Sequence, residues 1–360
     1  MHRRDFTTHL LRAGALAALP LPAAERQPLR DVANARHLLA GAAVSYRELQ
    51  REDCRALLAR EASILVSEND MKWQSIHPAP DRYDYTRADA LLAFAKTSNA
   101  KVRGHNLCWH QQLPRWFPST ATSGNAGELL RAHIAEVAGH YAGRIHSWDV
   151  VNEAVFVEDG RSDGLRKSPW LELAGPSYID LAFTTAAKAD PQAILTYNDY
   201  DLEQDTEAHE AKRRAVLALL KGLRARNVPV QALGIQSHLV ASTSPYQWSG
   251  FHRFLDGAEK LGLTIFITEL DVDDTALPAD IADRDRQVAA CYQDFLSNAL
   301  KHHNLQAILT WGFTDPDTWL NHFHPRKDGT PQRPLPFDGQ LQPKPAYFAM
   351  EQSIEAAPRR

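Results

Sequence analysis

Short apolar runs rich in β-branched residues recur eight times along the chain, and longer segments with helical periodicity separate most of them. Strands that alternate with helices predict parallel pairing, because a crossover has to return the chain before the next parallel strand begins. Eight such units favour an α/β fold of the closed (β/α)8 TIM-barrel type over an open doubly wound sheet. The predicted strands are Leu39–Ser45, Ser63–Ser67, Lys101–Asn106, Ile145–Val151, Ala193–Tyr197, Gln231–Gln236, Thr264–Thr268 and Gln306–Trp311.

The segments between the strands have the length and pattern of helices. Gly222 and Gly262 fall near two of their ends, where a glycine commonly closes a helix. No low-complexity linker interrupts the pattern, so a single domain over residues 25–360 is predicted. The predicted helices are Tyr46–Arg60, Arg87–Thr97, Glu128–Ala142, Tyr178–Ala189, Glu207–Arg226, Tyr246–Leu261 and Ile281–Lys301.

The first 24 residues differ in character from the rest. A basic start with Arg3-Arg4 leads into an Ala/Leu-rich stretch from Leu10 to Leu21 and then to small residues up to Ala24. This order predicts a secretory signal peptide over 1–24, and the arginine pair is typical of bacterial twin-arginine export signals. A chance arginine pair ahead of an ordinary secretory signal is the alternative. We therefore expect a secreted or periplasmic protein.

Composition argues against several classes of partner. The net charge is −4, with 44% hydrophobic and 23% charged residues, which is typical of a globular protein and favours neither a nucleic-acid nor a membrane partner. We expect a monomer. Cys54, Cys108 and Cys291 are too few for a disulfide framework, so buried free thiols are predicted, with one disulfide plus one free thiol as the alternative.

Two predicted strands end in a glutamate. In Thr264–Asp271 the side chains of Glu269 and Asp271 share one face, and the apolar run Ser147–Glu153 ends in Glu153. A carboxylate at the end of a buried strand is costly unless it is hydrogen-bonded or has a function. Two glutamates at the carboxyl-terminal face of a barrel are what glycoside hydrolysis needs, one as nucleophile and one as acid/base.

Amides, imidazoles, carboxylates and indoles gather at the predicted strand ends, and this mixture suits a carbohydrate ligand. No glycine-rich phosphate-binding fingerprint follows a strand, which disfavours a nucleotide enzyme. There is no H-E-x-x-H motif and no spacing typical of three metal ligands, and the predicted helix before His302 faces away from the strand ends. We therefore expect no cofactor and no metal.

Six motifs in sequence order resemble those of the family-ten glycoside hydrolases, which are mostly endo-β-1,4-xylanases. The resemblance runs from about Leu38 to Met350. It implies a retaining endo-β-1,4-xylanase that acts on xylan and xylo-oligosaccharides without a cofactor. The motifs are Glu-Asn-x-Met-Lys-Trp at 68–73, Gly-His-x-Leu-x-Trp-His at 104–110, Trp-Asp-Val-Val-Asn-Glu at 148–153, Gln-Ser-His at 236–238, Ile-Thr-Glu-Leu-Asp at 267–271 and Gln-Pro-Lys-Pro-Ala-Tyr at 342–347.

By this resemblance, Glu153 is the general acid/base and Glu269 the nucleophile of a double displacement through a covalent glycosyl-enzyme. The acid needs a raised pKa and the nucleophile has to stay ionised. Retention implies carboxyl groups about 5–5.5 Å apart. Asp271 and His238 are implied to support the nucleophile. Asn152 is implied to contact the sugar 2-hydroxyl, although regular alternation points it away from Glu153, so we expect a bulge or twist there.

The remaining implied roles concern the bound sugars. Gln236 is implied to orient the acid/base, and Trp311 and Trp319 to wall the sugar at the reacting position. Asp149 has no implied catalytic role and is predicted to be a buried structural partner. Contacts to the two sugars before the cleaved bond are implied for Glu68, Asn69, Lys72, His105, Trp109 and Gln112.

Two departures from the family pattern bear on specificity. Asp70 stands where family members often have glutamate, and the loop Asn321–Pro336 is rich in proline and in basic residues, among them His322, His324 and Arg326. The loop is expected to border the cleft.

Two alternative functions stay open. A retaining glycanase for another β-glucan would differ in the room left for a hydroxymethyl group near Lys72 and Trp319. A carbohydrate-binding protein that has lost activity is the alternative of another class, and the presence of both glutamates argues against it.

Overall fold

The computed structural model describes residues 26–241 and 246–360, and the strands of this part form one closed barrel. The strands are β1 (Leu39–Val44), β2 (Ile64–Ser67), β3 (Lys101–His105), β4 (Ser147–Asn152), β5 (Ile194–Asp199), β6 (Ala232–Ile235), β7 (His238–Val240), β8 (Thr264–Asp273) and β9 (Leu305–Thr310). They pair in parallel in the order β6-β5-β4-β3-β2-β1-β9-β8, and β6 also pairs with β8 to close the ring. The short β7 pairs with the carboxyl-terminal part of β8. The predicted TIM barrel is confirmed.

Helices connect the strands and form the outer layer. They are α1 (Leu29–Asn34), α2 (Tyr46–Leu49), α3 (Glu52–Glu61), α4 (Trp73–Ile76), α5 (Thr86–Thr97), α6 (Phe117–Thr120), α7 (Ala126–His140), α8 (Pro169–Ala174), α9 (Tyr178–Ala189), α10 (Glu207–Ala225), α11 (Ser249–Lys260), α12 (Ile281–Ala299), α13 (Leu320–Phe323) and α14 (Pro345–Ala356). Short 3₁₀ turns lie at Val157–Asp159 and Asp315–Asp317.

The single helix predicted over Tyr46–Arg60 is wrong, because the segment forms two helices. Ser45 and Glu48 make a reciprocal capping box that starts α2, and Arg51 then adopts an extended backbone before α3 begins. The terminal helices α1 and α14 were not predicted. They are joined through Glu61, which accepts hydrogen bonds from the Leu29 amide at 2.8 Å and the Tyr347 hydroxyl at 3.0 Å.

The barrel interior is filled by side chains rather than open. Small and large apolar groups from alternating strand positions form one interior cluster, while a larger apolar layer lies between strands and helices. The filled interior directs polar chemistry to the strand ends. The interior cluster consists of Ala43, Ile64, Val66, Ala232, Phe266, Ala307, Leu309 and Trp311.

All three cysteines are buried and unpaired, which confirms the predicted free thiols. Burial raises the pKa of the Cys54 thiol to about 11 and that of Cys291 to about 12, and it also raises the pKa of Cys108. In residues 26–241 and 246–360, no helix combines the length and apolarity that a membrane span requires. The signal peptide predicted over 1–24 lies outside the described residues.

Candidate active site

Glu153 directly follows β4, Glu269 lies in the carboxyl-terminal half of β8, and two amide side chains connect them. Asn152 Nδ2 donates to Glu153 Oε1 at 3.0 Å, and Asn152 Oδ1 accepts from Asn198 Nδ2 at 2.8 Å. Asn198 Nδ2 also donates to Glu269 Oε1 at 2.8 Å. Thr268 Oγ1 donates to Asn198 Oδ1 at 2.8 Å, which fixes the orientation of this amide. The two carboxyl groups therefore belong to one hydrogen-bond network.

An irregularity in β4 lets consecutive residues reach this network. The register of β4 against β5 shifts between Asp149 and Val151, and both Val150 and Val151 pack in the outer core. The extra residue reverses the regular alternation, so Asn152 reaches the same network as its neighbour. Glu153 then adopts a φ of +58°, a backbone conformation that is uncommon outside glycine and clusters at functional sites. The bulge expected from the position of Asn152 is confirmed.

Neutral donors surround the carboxyl group of Glu153. Gln236 Nε2 donates to its Oε1 at 3.0 Å, and Trp109 Nε1 donates to its Oε2 at 2.8 Å. Burial raises the pKa of Glu153, and these two hydrogen bonds offset only part of that effect. A raised pKa favours the protonated form that a general acid needs near neutral pH.

A histidine and a second carboxylate support Glu269 from the other side. His238 Nε2 lies 3.4 Å from Glu269 Oε2, while Nδ1 of the same ring lies 2.8 Å from Asp271 Oδ1. The remaining oxygen of Asp271 accepts a hydrogen bond from Trp319 Nε1 at 2.7 Å. Asp271 therefore orients the imidazole, and the imidazole in turn orients Glu269.

The charges around Glu269 keep it ionised. Burial alone would raise the pKa of Glu269, but the hydrogen bond from His238 and the electrostatic influence of the neighbouring His105, His238 and Lys72 side chains lower it to about 2. Burial also works against a charged His238. The carboxylates of Asp271 and Glu269 outweigh it and hold the pKa of His238 well above its usual value. The structure thus pairs an anionic Glu269 with a cationic imidazole.

His105 is held in place by a buried ion pair beneath the site. Its Nδ1 lies 2.9 Å from Asp149 Oδ2, and the other carboxylate oxygen of Asp149 binds the Arg103 guanidinium. The guanidinium lies 5.3 Å from the centre of the Phe266 ring in the barrel interior. Asp149 is the buried structural partner that was predicted. Through it, His105 is fixed edge-on to Trp311, with ring centres 5.2 Å apart.

The ammonium group of Lys72 lies between two indole rings. Its Nζ donates to Asn69 Oδ1 at 3.0 Å and lies 5.0 Å from the Trp109 ring centre and 5.5 Å from that of Trp311. Burial lowers the pKa of Lys72, although Glu269 and Glu68 oppose that shift. Burial raises the pKa of Glu68 in turn. These groups present donors, acceptors and aromatic faces side by side.

A family model for glycosyl hydrolase family 10 matches residues 28–353. The chain belongs to this family. It is 36% identical over 299 residues to endo-1,4-beta-xylanase B of Thermotoga neapolitana, a match that covers 82% of each chain. It is also 36% identical over 318 residues to beta-1,4-xylanase of Dictyoglomus thermophilum, and this match covers 86% of each chain.

Solved structures of family 10 members superpose on the whole barrel. Native xylanase 10B from Thermotoga maritima matches with a TM-score of 0.83 and 36% identity, over 91% of this chain and 98% of that one. Xylanase 10B from Thermotoga petrophila, solved in complex with xylobiose, matches with a TM-score of 0.83 and 36% identity, over 92% and 98%. This chain is therefore a family 10 glycoside hydrolase with the family's TIM barrel.

One predicted sugar contact stays apart from the carboxylate network of this family 10 hydrolase. Gln112 has a φ of +47°, and its main-chain oxygen accepts from the Gln74 amide at 2.9 Å. Within the described part of the chain, its side chain makes no hydrogen bond. Its predicted role toward the sugar therefore stays a prediction.

The loop Asn321–Pro336 is less basic toward the cleft than its sequence suggests. Arg326 is buried and bonded to Asp328 and Asp274, so its charge is neutralised within the loop base. His324 does border the site, because its ring centre lies 5.6 Å from that of Trp319. Of the two, His324 rather than Arg326 borders the site.

The structure adds Asn198 to the site residues of this family 10 enzyme. It touches Asn152 and Glu269 directly, and its main-chain oxygen accepts from the Glu153 amide at 2.9 Å. A Cβ atom on Gly234 would lie 2.2 Å from Asn198 Oδ1, so the glycine makes room for this side chain. Its position at the end of β5, among the polar strand ends, was the signal in the sequence. The resemblance assigned it no role, and it was therefore left out.

Three side chains of types that bind metals come together at the surface of the barrel, away from the carboxylate network. In the described residues, Asp256, Glu259 and His302 place ligand atoms within 4.8 Å of one another. They lie on α11 and after α12, where the next strands begin, rather than at the strand ends that carry the carboxyl groups. This group therefore belongs to a different region from the active site.

Proposed function

We propose that this glycoside hydrolase is an endo-1,4-β-xylanase that cleaves internal xylosidic bonds with retention of configuration. The observation that carries the proposal is the contrast between two carboxyl groups in one network. Burial raises the pKa of Glu153, whereas the cations around Glu269 lower the pKa of that carboxyl to about 2. A protonated acid beside an ionised nucleophile is the pair that a retaining glycosidase requires.

In the first step, a carboxylate oxygen of Glu269 attacks the anomeric carbon while Glu153 gives its proton to the glycosidic oxygen. The bond from the anomeric carbon to that oxygen breaks, the departing chain leaves as an alcohol, and a glycosyl ester of Glu269 forms. Asn198 holds the attacking carboxylate from one side and His238 from the other. Both contacts orient the attacking oxygen before the substrate arrives.

In the second step, the roles of the carboxyl groups change. Glu269 is neutral in the ester, so Glu153 no longer faces a negative charge and acts as a carboxylate base. It takes a proton from a water molecule whose oxygen attacks the anomeric carbon, and the ester bond breaks. Glu269 regains its charge, and the sugar is released with its original configuration.

The groups beside the nucleophile suit binding of a sugar chain. Trp311 and Trp319 offer flat apolar faces, and His105, Lys72 and Asn69 offer polar groups to hydroxyls. Relatives that are named xylanases, and the Thermotoga petrophila enzyme solved with xylobiose, support xylan and xylo-oligosaccharides as the substrate class.

The test is hydrolysis of xylohexaose followed by proton NMR from the first minutes. We expect internal cleavage and the β-anomer before mutarotation. An early α-anomer would contradict retention and the roles given to the two glutamates. If xylohexaose stays intact, cello-oligosaccharides distinguish a glycanase for another β-glucan from a protein that only binds carbohydrate.

We further propose that the enzyme is exported by the twin-arginine route and acts as a monomer. Its Arg3-Arg4 pair and the apolar stretch after it support export. Replacing both arginines by lysine is expected to retain the full-length chain in the cytoplasm. Unchanged export would favour an ordinary secretory signal. Light scattering after size exclusion tests the monomer, and a dimer mass would contradict it.

A further inference from the structure

A cluster of titratable side chains lies at the amino-terminal side of β8 and β9, remote from the catalytic network. Asp256 and Glu259 are three positions apart on α11, so they lie on one face of that helix. His302 follows the end of α12 and precedes β9. One ligand atom from each of the three lies within 4.8 Å of the others.

A chain of hydrogen bonds fixes which nitrogen of His302 faces the carboxylates. Asn298 Nδ2 donates to the Asp294 main-chain oxygen at 2.9 Å, and its Oδ1 accepts from Lys301 Nζ at 3.0 Å. The same Oδ1 lies 3.2 Å from His252 Nε2, which therefore has to be the donor. In a neutral His252 ring, Nδ1 is then an acceptor, and it lies 2.8 Å from His302 Nε2.

His302 Nε2 consequently carries the proton, and His302 Nδ1 is left with a lone pair. This nitrogen lies 3.5 Å from Asp256 Oδ1, and the residue is only 8% exposed. In the neutral ring this lone pair faces carboxylate oxygens, and a cation held between them would remove the repulsion.

We propose that His302, Asp256 and Glu259 bind one divalent transition-metal ion of the zinc class. Imidazole nitrogen and carboxylate oxygen together suit Zn²⁺, whereas Mg²⁺ and Ca²⁺ prefer oxygen ligands alone. The bond from His302 Nε2 to His252 is the support that a metal-binding histidine usually has, because it fixes the ring and its tautomer. Asp256 and Glu259 are exposed, so their carboxylates are free to turn toward an ion.

The site would join two elements that precede neighbouring strands. Asp256 and Glu259 lie just before β8, and His302 lies just before β9. In TIM barrels this face contributes to stability, and the opposite face carries the chemistry. The ion therefore stabilises the fold and takes no part in turnover.

The test uses the full chain, stripped of metal with a chelator and dialysed against Zn²⁺, with Co²⁺ as a spectroscopic probe. We expect one Zn²⁺ per chain, a visible Co²⁺ absorption band and a higher Tm with Zn²⁺. Asp256→Asn and His302→Ala should abolish all three signals, and His252→Phe should weaken binding about 10- to 100-fold. His303→Ala, which removes the exposed neighbouring imidazole, is the matched control and should bind as the parent does.

The proposal fails if the chain binds no Zn²⁺ above the level of Asp256→Asn, or if His303→Ala abolishes binding. It also fails if bound Zn²⁺ leaves Tm unchanged. Because His302 is buried, a folding defect of His302→Ala is distinguished by Asp256→Asn, whose exposed side chain can change without loss of packing. Xylohexaose turnover of Asp256→Asn should equal that of the parent, with or without chelator.

Discussion

The carboxyl groups of Glu153 and Glu269, the proposed catalytic pair, are buried to a similar degree, yet their surroundings differ in charge. Glu153 is 9% exposed and Glu269 is 5% exposed. Glu153 receives hydrogen bonds from neutral amide and indole groups, whereas Glu269 faces the cationic ring of His238. Burial alone would raise both pKa values. The charge of the partner, rather than the depth of burial, therefore separates the pKa values of these two carboxyl groups.

The largest effect is expected from Glu269→Ala, which removes the nucleophile. Turnover of xylohexaose should fall by at least about 10⁴-fold, because no other carboxylate in the network can form the ester. Binding of xylo-oligosaccharides, measured by calorimetry, should survive, since the aromatic walls remain. Normal turnover in this variant would overturn the assignment, and Glu355→Gln on the exposed surface serves as the control.

Glu153→Ala should have a smaller effect that depends on the leaving group. Xylo-oligosaccharides need protonation of the leaving oxygen, so their cleavage should slow by about 10²–10⁴-fold. Aryl xylosides with good leaving groups need little protonation, and formation of their glycosyl-enzyme should slow far less. Presteady-state kinetics on both substrates measure the difference. Equal slowing of both would contradict the acid role.

His238→Asn tests the charge that keeps Glu269 ionised. Glu269 has to be a carboxylate to attack, so activity is lost as the pH falls through its pKa. In the parent chain this pKa is about 2. Loss of the nearby cation raises that pKa, and the acid limb of kcat/KM should move up by about 1–3 pH units. An unchanged acid limb would argue against electrostatic control. His322→Asn, at an exposed imidazole of the same barrel face, is the control.

The smallest effect is expected from Gln236→Leu. Its amide stabilises the charged form of Glu153 and so lowers the pKa of that carboxyl. Activity is lost as the pH rises through the pKa of the acid, so removing the amide should move the basic limb of kcat/KM up by about 0.4–1 pH unit. A downward movement would show that Gln236 favours the protonated form. The exposed Gln340→Leu should leave the limb unchanged.

The positions of the two glutamates could be predicted from the sequence. The strand pattern and the repeated strand-and-helix units that indicate a closed barrel are both visible along the chain. The apolar runs before Glu153 and Glu269 located the strand ends, and the barrel brought those ends to one face. The break at Arg51 was missed because helical periodicity continues through it. The Ser45–Glu48 capping box marks where α2 begins, but it does not indicate where that helix ends.

What could not be predicted depends on partners from distant strands. The bridging role of Asn198 requires β4, β5 and β8 in register, and its side chain fits only because Gly234 on β6 leaves room. The pKa values of Glu153 and Glu269 likewise shift in opposite directions because different side chains, from in or near β3, β6 and β7, face each of them. Asp256 and His302 are 46 positions apart and meet only through helix packing.

The enclosed cysteines have a consequence for the compartment in which the enzyme works. Disulfide exchange proceeds through the thiolate. The pKa values of about 11 at Cys54 and about 12 at Cys291 leave almost none of either thiol in the thiolate form near neutral pH. In the oxidising compartment that the proposed export would lead to, the folded chain would be inert, whereas an unfolded chain would offer three thiols, an odd number, to the oxidases there. Export after folding, as proposed from the arginine pair, would deliver the enzyme with its thiols already protected from mispairing.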